Sequence, residues 1–183
     1  MTRSAQESRA APGVPSVITA VASSGGGGVW RVTSSGAATR VAQINDVSGK
    51  LEGVVTVPND SSKYGPWAGK ILTCGEVAQL TYAVDANGNV TPYDFAMPKP
   101  EDVRLVAAGQ NLYCLDEPNN LVLKVPQSNF SSFAGDVLLV DEQEASLLLV
   151  HWTGGQFVTR KIFPGANALE HVAFAPIDIP PLP

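Results

Sequence analysis

A short strand headed by glutamate recurs along this chain and constrains its fold more than any other feature. Leu51-Glu52-Gly53-Val54 opens one copy, Pro100-Glu101-Asp102-Val103 a second and Leu169-Glu170-His171-Val172 a third. Glu52 and Glu101 lie 49 residues apart. Helical periodicity is nearly absent. Apolar residues come instead in short runs bounded by Gly, Pro, Asn and Asp, the pattern of many short strands. A unit of about 40–50 residues holding about four short strands cannot hide both faces of its own sheet, so it must stack on its neighbours.

Two further elements recur. One is a strand that ends in an acid: Gly69 to Glu76, Asn111 to Asp116 and Gly135 to Glu142, with Ser16 to Val21 as a fourth copy that lacks the acid. The other is a hairpin around a glycine turn, through Ser35-Gly36, Asn87-Gly88 and Gly154-Gly155. Such turns need positive φ, which glycine supplies at no steric cost. A longer self-match aligns Val57-Pro58-Asn59, Trp67-Ala68-Gly69 and Ile71-Leu72 with Val125-Pro126-Gln127, Phe133-Ala134-Gly135 and Val137-Leu138.

These units predict an all-β chain: a β-propeller of about four blades, each an antiparallel four-stranded sheet, or part of a larger propeller. The glutamate-led strands are expected innermost and the glycine-turn hairpins outermost. The first unit, near Ser16, lacks a glutamate-led strand, and the chain ends with one, His171 to Pro176. That predicts closure by strand exchange between the two ends of the chain. The alternative is an incomplete ring whose unpaired edges join another chain.

The order Glu-Gly-Val-x-x-Val-Pro, Gly-Lys-Ile-Leu-x-x-Gly-Glu and Tyr-Ala-Val-Asp-x-x-Gly resembles the NHL and SMP-30/gluconolactonase-like six-bladed propellers. The resemblance spans most of residues 16–177. It implies a six-bladed parent, for which 183 residues are too few at this period. It also implies a divalent metal held near the channel by an acid on an inner strand. The Asn and Asp that complete such a ligand set have no match in this sequence.

Composition narrows the partners. Twelve Lys and Arg against seventeen Asp and Glu give a net charge of -5, which disfavours a nucleic-acid partner because phosphate binding needs a basic face. No apolar run approaches the ~18–20 residues of a membrane helix. Residues 1–15 read as a disordered leader without an apolar segment, 16–177 as the blades and 178–183 as a Pro-rich tail. The compartment stays open, extracellular if a leading segment precedes this one. Cys74 and Cys114 occupy matching strands of successive units and are expected as two small buried thiols, with a disulfide left open.

The candidate chemistry centres on Glu52, Glu101 and Glu170. A propeller brings the starts of those strands together around its axis, where three carboxylates repel unless protonated or bridged by a cation. Hard oxygen donors suit Ca²⁺. The alternative is three wet carboxylates capping strand entrances. Glu76, Asp116, Asp141 and Glu142 read as turn residues. His171 stands beside Glu170 as a binding candidate, and Trp67 and Trp152 are candidate binding aromatics if they are not packed between blades. His151 reads as a plain strand residue, and Gly25 to Gly28 as a connection. No residue is assigned a catalytic role, since no nucleophile motif accompanies His171. Asn59, Asn89 and Asn129 head glycosylation-type triplets of low specificity.

Two functions follow. The first is a non-catalytic propeller serving as a binding module, scaffold or self-assembling subunit through unpaired edge strands. The second is a divalent-metal-dependent, lactonase-like hydrolase with its site at the channel mouth.

Overall fold

The computed structural model describes residues 17–23, 27–33, 35–45, 51–163 and 165–175. The expected leader 1–15 and tail 178–183 lie outside them. The strands among the described residues form four antiparallel sheets. The first has three strands, β1 (Val17–Ser23), β2 (Gly27–Thr33) and β3 (Ala38–Ile44). The second runs β4 (Leu51–Thr56), β5 (Ile71–Gly75), β6 (Leu80–Val84) and β7 (Val90–Tyr93) in simple succession. A one-turn helix, α1 (Ser61–Tyr64), joins β4 to β5 and is capped by Asp60, whose carboxylate accepts from Ser62 N and Lys63 N.

The second half departs from this plan. Strand β8 (Pro100–Leu105) is followed by the hairpin β9 (Asn111–Asp116) and β10 (Leu121–Val125), and then by β11 (Val137–Asp141), β12 (Ser146–Trp152) and β13 (Phe157–Ile162). The third sheet is ordered β8-β11-β12-β13, so β8 passes over the hairpin that follows it. The last strand, β14 (Val172–Ala175), pairs with β9 to give a fourth sheet, β14-β9-β10. The glutamate-led strands β4, β8 and β14 each lie at one edge of their sheet, and the glycine-turn hairpins lie outermost, as the repeat predicts.

The hairpin β6–β7 shows why these segments turn where they do. Asp85 accepts hydrogen bonds from Asn87 N and Asn89 N, both at 2.9 Å, and Gly88 takes φ +83. A Cβ on Gly88 would lie 2.4 Å from the Val41 carbonyl oxygen, so this turn also sets how closely the first two sheets approach.

Three apolar cores join the four sheets in order. Val29, Ala42 and Ile44 of the first meet Leu51, Tyr82 and Val84 of the second. Val55, Leu72 and Trp67 of the second meet Val103, Leu139 and Val150 of the third. Leu138, Val140 and Leu149 of the third meet Leu112, Cys114 and Val172 of the fourth. Each buried Leu or Val contributes roughly 1.5–3 kcal/mol relative to an exposed one. Such face-to-face stacking of small antiparallel sheets, with their leading strands adjacent, is a propeller-type arrangement of four blades. Among the described residues, two blades have four strands and two have three.

Among the described residues, the expected closure between the first and last strands is not made. Strand β14 sets Val172 opposite Cys114 and Ala175 opposite Asn111, rather than pairing with β1. The reason lies in β8. The ladder between β8 and β11 continues through Val106 N to Asp136 O and Gly135 N to Val106 O, leaving β9 without an inner neighbour until β14 supplies one. The two cysteines are correspondingly not in adjacent blades. Cys74 lies in the second and Cys114 in the fourth, and both are buried and free. On the far face of the fourth sheet, the cross-strand neighbours Leu115 and Val122 are 38% and 65% exposed. Among the described residues, no helix is long and apolar enough to cross a membrane.

Candidate metal and ligand site at the inner strand ends

Three local devices aim side chains at one end of the inner strands. The first is a bulge in β4. Glu52 pairs with Cys74 and Val54 with Thr73, leaving Gly53 as the extra residue at φ +57. Thr73 Oγ1 holds the bulge by donating to the Gly53 carbonyl at 2.8 Å. A Cβ on Gly53 would fall 2.5 Å from Asp102 Oδ1 and 2.6 Å from Val103 N, so only glycine lets β4 come this close to β8.

The second device fixes the start of β8. Its ladder with β11 shifts register at Val140/Asp141. The Asp141 carboxylate accepts from Lys99 N at 3.2 Å and Glu144 N at 2.7 Å, and Glu142 N donates to the Lys99 carbonyl at 2.9 Å. Lys99 Nζ bridges two carboxylates, Glu76 at 3.2 Å and Glu142. Burial acts to lower the Lys99 ammonium, but Glu142 and Glu76 outweigh it and hold Lys99 above its ordinary value.

The third device pins β14. Asp102 is fully buried and accepts from Val172 N at 3.1 Å and Val103 N at 2.7 Å. Arg104 Nη2 pairs with it at 3.0 Å, and Arg104 Nε donates to the Val172 carbonyl at 3.0 Å. Burial pushes the Asp102 carboxyl up, and the Arg104 charge works against that rise. From the other side, Leu115 N donates to the His171 carbonyl and Glu170 N to the Leu115 carbonyl. Glu170 and His171 are thus held between β8 and β9.

Glu101 stands at the centre of the result. It is 2% exposed. Burial first, then the charges of Glu52 and Glu170, push its carboxyl up to about 9, so it carries a proton at neutral pH. Two sets of donor atoms lie within 4.8 Å of one another: Glu52, Glu101 and His171, and Glu76, Glu101 and Glu142. Glu101 belongs to both.

Of the three carboxylates expected to converge, Glu52 and Glu101 bring donor atoms within 4.8 Å of each other, and Glu170 adds a charge that acts on Glu101. The tight donor set with Glu52 and Glu101 takes His171, however, and not Glu170. Glu76 and Glu142, read from sequence as turn residues, belong to the cluster, as does Lys99. Their signal was present, because both acids end strands that lie next to a glutamate-led strand. Asp116 and Asp141 keep turn roles, with Asn119 Nδ2 donating to Asp116 at 2.9 Å.

The candidate aromatics form a separate group. Trp67 is 1% exposed and packed by Tyr93, Phe95 and Phe157, at centroid distances of 5.4, 5.7 and 4.1 Å. Its ring fills the second core and offers no face to a ligand, which corrects that half of the aromatic expectation. Trp152 is partly exposed, contacts Phe157 at 5.0 Å and lies over Gly65. His151 pairs with Asp136 at 3.1 Å.

The donor chemistry fits a divalent cation. Ligand atoms around one ion at about 2.0–2.5 Å from it sit no more than about 5 Å apart, and the Glu52–Glu101–His171 set meets that condition. Filling this set requires Glu101 to lose its proton.

The chain is, then, an all-β protein of propeller type with an acidic cluster at its inner strand ends. No family model matches it, and no curated protein does. The NHL and gluconolactonase-like resemblance accordingly stands on the blade pattern alone. Among solved structures it is similar to a streptogramin B lyase at 13% identity and a TM-score of 0.37, over 84% of this chain and 56% of that one. Selenomethionine-substituted virginiamycin B lyase from Staphylococcus aureus matches at 13% and 0.37, over 92% and 72%. A catalytically inactive form of that lyase with quinupristin matches at 13% and 0.36, over 86% and 59%. The chain thus spans little more than half of the streptogramin B lyase chain. A likeness of this extent bears on neither activity nor substrate, and the fold rests on the sheets themselves.

Proposed function

We propose that the protein is a non-catalytic propeller-type binding module whose working site is the cluster at its inner strand ends, where it holds a divalent cation. One observation carries the reading: Glu52, Glu101 and His171 bring their donor atoms within 4.8 Å around a carboxyl that is itself buried. Burying a carboxyl among other carboxylates is costly unless a proton or a cation compensates it. The test is isothermal calorimetry on chelator-stripped protein with Ca²⁺, the ion expected from sequence, and with Zn²⁺. Binding that disappears in Glu101→Gln supports the reading. No heat with millimolar amounts of either ion overturns it.

A scaffold role belongs to the same reading. The exposed Leu115–Val122 pair is an apolar surface to which a protein partner or a second copy could dock. Sedimentation velocity of the wild type and of Val122→Glu tests it, and a wild type that stays monomeric at high concentration excludes the self-associating form.

The hydrolase reading draws on a different observation. A carboxyl protonated at neutral pH sits within 4.8 Å of an imidazole, and such a pair can donate and accept protons at a metal-polarised bond. A lactone and ester panel with metal-loaded protein decides between the readings, since turnover lost in Glu101→Gln would favour the enzyme.

A further inference from the structure

The two donor sets that share Glu101 differ in chemistry and in what already sits beside them. Glu76, Glu101 and Glu142 offer only oxygen, the kind of set that Ca²⁺ and Mg²⁺ prefer. Lys99 has placed its ammonium there, bridging Glu76 and Glu142. A cation is thus already seated in this half of the cluster, supplied by the chain and anchored through the Lys99 backbone on Asp141 and Glu142. Its salt bridges go to the two outer carboxylates and leave Glu101, shared with the other half, outside them. That other half, Glu52, Glu101 and His171, contains an imidazole. Imidazole is a poor ligand for Ca²⁺ and a good one for Zn²⁺, which commonly takes three protein ligands of mixed His and carboxylate type.

We infer, building on the cation-binding reading above, that Lys99 reserves the all-oxygen pocket as a resident cation, so that the chain takes one Zn²⁺-class ion at Glu52, Glu101 and His171 in preference to Ca²⁺. The argument for one ion is geometric. Both pockets draw on the same Glu101 carboxyl, and the ammonium already compensates the acids of the second. The argument for selectivity is chemical and rests on His171. Lys99 acts here as a positioning and charge-compensating residue and touches no ligand.

The test is calorimetry with Zn²⁺ and with Ca²⁺ on the full chain, with folding of every variant checked by circular dichroism. The wild type is expected to bind one Zn²⁺ at least tenfold more tightly than Ca²⁺. His171→Gln should weaken Zn²⁺ at least tenfold while leaving Ca²⁺ unchanged, and Glu170→Gln should leave Zn²⁺ within threefold. Lys99→Met should open the all-oxygen pocket and raise Ca²⁺ affinity at least tenfold. Equal or tighter Ca²⁺ binding in the wild type, or an indifferent His171→Gln, overturns the inference and leaves the cation-binding reading standing. Failure of both ions to bind the wild type removes the reading and the inference together.

Discussion

Replacing Glu101 by glutamine should stabilise this protein, and only above a certain pH. Glu101 starts from an ordinary value of 4.5 and is pushed up to about 9 in the fold. Between those limits the folded chain holds a proton that the unfolded chain has released. With more protons bound by the native state, stability falls as pH rises, by at most about 1.4 kcal/mol per pH step. The contribution is complete below pH 4.5 and is lost progressively up to about 9. At pH 7 the ideal cost is about 3.4 kcal/mol, and water reaching Glu52 and His171 screens it to about 1.5–3 kcal/mol. Glutamine keeps the shape of the protonated acid and cannot ionise. Urea denaturation in the presence of a chelator should therefore show Glu101→Gln within about 0.5 kcal/mol of wild type at pH 5 and about 1.5–3 kcal/mol more stable at pH 7.5. The same variant should lose cation binding, so stability and ligand affinity move in opposite directions at one position. A Glu101→Gln chain destabilised equally at both pH values would refute the reasoning, because it would mean that an ionised Glu101 is held by bonds that glutamine cannot make.

Other substitutions probe how the cluster is built. Gly53→Ala places a Cβ against Asp102 and Val103 at positive φ and should cost about 2–4 kcal/mol, read as a lower melting temperature. Asp102→Ala leaves Arg104 without its buried partner and frees Val172. It should cost about 3–5 kcal/mol by urea titration and weaken Zn²⁺ binding as well, since His171 immediately precedes the pinned Val172. Trp67→Ala empties the second core at a cost of about 3–5 kcal/mol while leaving cation affinity unchanged in any chain that remains folded, as calorimetry would show.

Much of this architecture was legible because strand type and turn chemistry are local properties. The Asn87-Gly88 turn and the glutamate-led strands could be read in a few residues each, and they landed where the repeat placed them. Blade membership is not local. Nothing between Val106 and Val137 says that β8 skips a hairpin, because β9 and β10 are short apolar runs next to a turn, as any blade strand is. The self-match of Val57 to Leu72 with Val125 to Leu138 reinforced the simpler reading, although the ladder partner equivalent to Val57 is Val106 rather than Val125. The site followed the same division. Glu52, Glu101 and Glu170 were visible as strand heads. The choice of His171 over Glu170 depended on the Asp102–Arg104 clamp, which joins residues far apart in sequence. Glu76 and Glu142 looked like turn acids because the ammonium that gathers them, Lys99, comes from a third segment.

The crossing of β8 over the β9–β10 hairpin has a consequence for how the chain assembles. As the polypeptide emerges during synthesis, the second blade can complete itself from contiguous residues. Strand β9 must wait for Val172 to Ala175, made roughly sixty residues later, before its inner side is covered. Until then the hairpin presents an open strand edge together with Leu115 and Val122, a surface to which a chaperone or a neighbouring nascent chain can attach. A chain released before Val172 should expose the Lys124 bond to trypsin within minutes, whereas the full chain should resist. The four residues of β14 would thus act as a latch that closes only once they have emerged from the ribosome.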